Sequence, residues 1–165
     1  MGLTIHQKSI YLIILNSTMI LRSVGKSLKG RKTVKDFKIQ VFKELNRLTS
    51  LMDKKKLKEN QILSSIRRLS NKFKISFGQS QKPINVILKY HFYLTRSKDK
   101  HTRKILHCPI DSVILKALGI KGLPLTKINE KKYMEVQREI QALYPARIDF
   151  DTRWDEQHLR EEGII

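Results

Sequence analysis

Residues 33–48 read Thr33-Val34-Lys35-Asp36-Phe37-Lys38-Ile39-Gln40-Val41-Phe42-Lys43-Glu44-Leu45-Asn46-Arg47-Leu48, and their pattern decides the fold class. Thr33 followed three residues later by Asp36 is a variant of the capping box that opens a helix. Val34, Phe37, Val41, Leu45 and Leu48 then return every three or four residues, the period of a helix with one apolar face. Lys35, Lys38, Lys43 and Arg47 occupy the remaining faces. Downstream, residues 53–58 form a charged turn. Ile62, Ile66, Leu69 and Phe73 make a second stripe, with Arg67, Arg68 and Lys72 beside it. Such stripes are core before they are anything chemical.

The pattern breaks at residues 75–79. Ser80 can cap the next helix, with Pro83 in its first turn, where no intrahelical N–H is lost. Ile84, Ile87, Leu88, His91 and Phe92 face inward, and residues 95–104 read as a basic loop. Asp111 is a candidate N-cap for a short helix that Gly119 closes. Gly122 and Pro124 mark a turn. Asn129 caps a helix through Tyr133, Val136, Ile140 and Leu143, which Pro145 ends, and Asp151 and Thr152 can cap a last helix.

Upstream lies an apolar run, residues 10–15 and 19–21, interrupted by Asn16, Ser17 and Thr18. It is too short for a bilayer, which needs about 20 apolar residues, and Arg22, Lys26 and Lys29 follow where a signal peptide has its cleavage site. It reads as a buried helix, or as a strand given its β-branched content, and residues 25–32 as a basic linker. No strand period is sustained. The expectation is an all-α chain, a single compact helical domain of about six or seven helices. It divides into a basic N-terminal lobe, 1–72, and a hairpin-containing lobe, 73–165, that ends in an acidic helix.

Charge points to the partner. The chain has 165 residues, 34 Lys+Arg, 15 Asp+Glu and a formal charge of +19. Residues 1–108 hold 25 of the cations and 5 of the acids; residues 109–165 hold 9 and 10. One sign gathered in one part of the chain points to a polyanion, above all nucleic acid. A single cysteine excludes a disulfide framework and Cys-based metal clusters. His6, His91, His101, His107, Cys108 and His158 lack metal-site spacing, and no Walker loop or nucleophile elbow is present. No metal and no cofactor is expected, nor a membrane. The implied setting is intracellular, cytoplasmic or nucleoid-associated.

Two segments carry chemistry. In Gly78-Gln79-Ser80-Gln81-Lys82 a tight turn runs into a helix, whose free N–H groups and dipole suit a phosphate. In Pro109-Ile110-Asp111 a carboxylate stands at a helix start among apolar neighbours. It is a cap, or a catalytic group beside a basic nucleophile.

Together these segments resemble the helix-hairpin-helix DNA glycosylases, the base-excision enzymes with an endonuclease III-like fold. The resemblance covers residues 73–155 and rests on Gly78, Lys82 and Asp111. It departs from the family at Ser80, where a second glycine is usual, and in the long interval between Lys82 and Asp111. It implies a helix-hairpin-helix-like element, with Lys82 as a lyase nucleophile that attacks the sugar of a flipped nucleotide. Asp111 would stabilise the developing positive charge.

The reading that composition and motifs favour is a nucleic-acid-binding protein, with DNA ahead of RNA. Gly78, Gln79 and Ser80 would hold one phosphate. Lys72, Lys74, Arg67, Arg68, Lys89, Arg96 and Lys98 would supply the cationic face. The alternatives are a DNA N-glycosylase and abasic-site lyase working through Lys82 and Asp111, and a non-catalytic subunit of a nucleoprotein assembly whose acidic C-terminal helix docks a protein partner.

Overall fold

The computed structural model describes residues 2–17, 20–28, 33–96 and 98–165, with only the backbone of Ile20. Among them are nine α-helices, one 3-10 turn and no strand, so the all-α class holds. The helices are α1 (Ile5–Ser17), α2 (Ile20–Ser27), α3 (Val34–Asp53), α4 (Glu59–Phe73), α5 (Phe77–Thr95), α6 (Lys100–Ile105), α7 (Ser112–Ala117), α8 (Glu130–Leu143) and α9 (Ile148–Glu161); the 3-10 turn is Leu125–Lys127. Helices outnumber the six or seven expected for local reasons. The apolar start is two helices, and Asp99 caps α6 inside the expected basic loop by accepting from the His101 and Thr102 amides.

The capping box at Thr33 forms as read: its hydroxyl accepts from the Asp36 amide, and the Asp36 carboxylate accepts from the Thr33 amide at 2.8 Å. Phe37, Val41, Leu45 and Leu48 are buried against Ile62, Ile66, Leu69 and Phe73 of α4 in one hydrophobic core. That core is continuous across both expected lobes. The N-terminal run is helical, but it is not buried throughout. Tyr11 and Leu15 of α1 are buried and Ile14 packs half-buried on the core, while Ile10, Leu12 and Ile13 are exposed. Gly25 and Lys26 are in α2 rather than in a linker; Met19 and residues 29–32 lie outside the described residues.

The central element is α5. It packs on α1, α2, α3 and α4 along one side and on α8 and the 3-10 turn along another, and most of its residues are buried. Ser76, not Ser80, is its N-cap; the Ser76 hydroxyl accepts from the Gln79 amide at 3.0 Å. The helix therefore starts earlier than its sequence pattern suggests, and Pro83 falls in its second turn, where its missing N–H removes an intrahelical bond. Gly78 is in the helix and not in a hairpin. A Cβ there would stand 2.4 Å from the Leu125 carbonyl oxygen, so glycine serves close packing between α5 and the 3-10 turn.

A buried extended segment, residues 106–110, threads between α5 and α8 with no strand beside it. Two glutamine side chains take the place of one. Gln81 donates to the Ile110 carbonyl at 2.7 Å and accepts from its amide at 3.2 Å. Gln137 treats Cys108 likewise, at 2.7 and 3.1 Å. These bonds meet the rule that buried backbone polar groups find partners, and they fix where Asp111 emerges.

Candidate nucleic-acid interface and the Lys82–Asp111 cleft

Lys82 and Asp111 come together. Asp111 caps α7, with Oδ1 accepting from the amides of Val113 and Ile114 at 2.9 and 3.0 Å; Oδ2 receives the Lys82 ammonium at 3.1 Å. The Asp111 carboxylate lines a cleft of about 410 Å³ between α7 and α9, with Asp151, Trp154, Asp155, His158 and Glu161. Two turns along α5 from Lys82, buried Lys89 binds both Asp151 and Asp155, the latter at 2.7 Å. Burial opposes the Lys89 charge, but the two carboxylates outweigh it and raise its pKa above the ordinary lysine value. Asp151 thus pairs with Lys89 inside α9 instead of capping that helix. Facing carboxylates make the mouth of this cleft acidic. Among the described residues no cluster of His, Cys, Asp and Glu could hold a metal ion.

The glycine segment is placed differently from the reading of the sequence. Gly78, Gln79 and Ser80 are buried, and their amides are engaged: Gly78 donates to the Ile128 carbonyl at 2.9 Å, Gln79 to the Ser76 hydroxyl, and Ser80 to the Ser76 carbonyl at 3.1 Å. The Gln79 side chain reaches Ser23 and Ser27 of α2. No phosphate can reach these groups without opening the core.

The expected cations divide into two kinds. Arg67 pairs with Glu130, and Arg68 grips Glu44 through two bonds of 3.0 and 2.7 Å. Burial works against the Glu44 charge, yet Arg68 and Ser65 keep its pKa below the ordinary carboxylate value. Lys89 is buried, and Lys72 donates to the Gln40 side chain at 2.6 Å. Lys74 and Lys98 are exposed. Arg96 sits 3.7 Å from the Asp53 carboxylate and donates to the Asp53 carbonyl at 2.6 Å.

That contact brings the loop after α5 to the turn after α3. Lys55, Thr95, Arg96, Lys98 and Asp99 line a cleft of about 330 Å³. Lys54 and Lys56 flank Lys55, all three are exposed, and Lys55 is left-handed at φ 55°. Periodicity marks 53–58 only as a turn, and nothing in the spacing announces a meeting with residues some 40 positions away.

The ends of this turn are fastened by two constellations of the same kind. At Asp53, the carboxylate accepts from His91 Nε2–H at 3.2 Å, and Tyr11 donates to His91 Nδ1 at 2.7 Å. At Glu59, the carboxylate accepts from His107 Nε2–H at 2.7 Å, and Tyr133 donates to His107 Nδ1 at 2.6 Å. A carboxylate only accepts, so each imidazole carries its proton on Nε2. Burial holds both histidines neutral, lowering the His91 pKa and pushing that of His107 down to about 4. The His107 bond, helped by Arg147, brings Glu59 down to about 2 against the opposing effect of burial. Both histidines look like isolated residues in the sequence.

In the expected acidic docking helix, Asp149 pairs with Arg103 at 3.0 Å and Asp151 and Asp155 hold Lys89, while Glu156, Glu161 and Glu162 are exposed. Cys108 is a fully buried thiol whose pKa burial raises well above its ordinary value. No helix among the described residues is long and apolar enough to cross a membrane. The chain matches no protein-family model, no curated protein and no solved structure.

Proposed function

We propose that the protein binds nucleic acid, DNA in the first instance, by contacts of lysine and arginine with backbone phosphates. One observation carries the reading. Most of the carboxylates are already engaged, as caps or as partners of Arg67, Arg68, Lys82, Lys89, Arg103 and Arg147. With 34 cations against 15 acids, one-to-one pairing still leaves 19 cations over. Among the described residues no ion pair involves Lys54, Lys55, Lys56 or Lys98; Lys55 and Lys98 line one cleft, and Lys54 and Lys56 flank Lys55 in the turn. An exposed group of like charges is self-repelling and becomes favourable when it neutralises phosphates and releases their counterions. Fluorescence anisotropy with a labelled duplex at about 50 mM salt tests this directly: saturable binding supports it, and its absence for both DNA and RNA ends it.

A glycosylase-lyase reading is favoured by the 3.1 Å approach of Lys82 to Asp111. It requires a polyanion to enter a cleft that Asp111, Asp151, Asp155 and Glu161 line, which electrostatics opposes. Borohydride treatment with abasic DNA decides it: a covalent adduct that Lys82→Ala abolishes would establish the lyase, and no adduct would leave binding alone.

A further inference from the structure

We propose that the cleft between the turn after α3 and the loop after α5 seats one backbone phosphate of the bound polynucleotide, gripped by Lys55, Arg96 and Lys98. This rests on the nucleic-acid reading and gives it a defined anchor point.

The cleft combines separate cationic elements instead of a run along one helix. Lys55 comes from the turn, and Arg96 and Lys98 from the loop. Its volume of about 330 Å³ admits a phosphate and part of a sugar and excludes a duplex. Its three cations outnumber the acids beside them, Asp99, which feels the charge of Lys55, and Asp53, next to Arg96. Asp99 is committed to the start of α6, accepting from the His101 and Thr102 amides and from the Thr102 hydroxyl at 2.8 Å. Asp53 is committed to His91 and Arg96.

The cleft is also held in shape before any ligand arrives. Arg96 is fixed through the Asp53 carbonyl, and Asp53 is fixed through His91 to Tyr11 in the core. At the far end of the turn, Glu59 is fixed through His107 to Tyr133. Buried Leu57 pins the middle. Lys55 is the left-handed residue that closes α3: its amide donates to the Met52 carbonyl at 2.9 Å and that of Lys56 to the Leu51 carbonyl at 2.8 Å, which holds the turn backbone in one shape. With the turn backbone and Arg96 already held, binding a phosphate costs less loop freedom.

The experiment measures a labelled DNA duplex by anisotropy at about 50 mM salt with the full chain and four variants: Lys55→Ala, Lys55→Gly, Lys98→Ala and Lys121→Ala. Lys121 is an exposed lysine on a turn distant in sequence, so its loss changes net charge identically. Lys55→Gly relieves the left-handed backbone and keeps the test valid if Lys55→Ala disturbs the turn. Losses of about tenfold for each cleft variant, with less than about twofold for Lys121→Ala and a salt slope reduced by about 1, support a seated phosphate. Equal losses at all sites would overturn the cleft while leaving nucleic-acid binding intact. Failure of the unaltered protein to bind would remove both. Inorganic pyrophosphate, titrated at constant ionic strength, separates the sources. If it binds and the cleft variants abolish that binding while DNA affinity is unchanged, the site takes free phosphate and the polynucleotide assignment is wrong.

Discussion

Lys82 and Asp111, 29 residues apart in sequence, form an ion pair of 3.1 Å across the start of α7. One carboxylate does two jobs: Oδ1 caps the helix and Oδ2 receives the ammonium. The two can be separated by substitution. Asp111→Asn keeps a good cap and removes the charge partner, whereas Asp111→Ala removes both. The expected cost is under about 1 kcal/mol for asparagine and about 1–2 kcal/mol for alanine, measured by urea unfolding. Equal destabilisation by the two variants would show that the cap is not the larger contribution.

Gly78 tests whether the glycine segment packs or binds. An added Cβ meets the Leu125 carbonyl oxygen at 2.4 Å and Ile128 Cβ at 2.8 Å, both parts of the framework and neither a flexible side-chain tip. Gly78→Ala is expected to destabilise the fold by about 2 kcal/mol or more, as overpacking does, while the folded fraction keeps its DNA affinity. A variant with unchanged melting temperature and lost affinity would restore the hairpin to the surface.

The helices were the legible part of this sequence, because periodicity and caps are local. Thr33 with Asp36, Asp111 and Asn129 all cap as their neighbours suggest. Local rules failed where a distant contact decides. Ser80 and Asp151 have the chemistry of caps, but Ser80 is sealed inside α5, and Asp151 is drawn to Lys89, 62 residues away. The meeting of Lys82 with Asp111 was within reach, since both stand near helix starts. The Lys55–Arg96–Lys98 cleft was not, because its parts are a turn and a loop with no motif between them. Neither was the double anchoring of that turn, since His91 and His107 reveal their partners only through tertiary packing.

The buried histidines set how stability responds to acid. His107 has a pKa of about 4 in the folded protein against an ordinary 6.5, with burial the main cause. As pH falls through 6.5 the unfolded chain takes up a proton that the folded protein refuses until about 4. This contribution is full above about 6.5 and is lost progressively towards 4, on the order of 3 kcal/mol in all. His91 acts in the same direction. Glu59, held low by His107, adds a loss that begins below about 4.5 and runs towards 2. Urea unfolding at pH 7.5, 6.0 and 4.8 is expected to show falling stability, with a shallower fall in His107→Gln. A wild-type profile that is flat or rising towards acid would mean that the histidines are not held neutral.

The most direct test of the central claim is the affinity of the protein for duplex DNA measured against salt concentration. Contacts with several phosphates predict a linear fall of log K with log salt, with a slope of about −3 or steeper, since each phosphate neutralised contributes about −0.9. A slope near zero, or no binding at about 50 mM salt, would contradict the account.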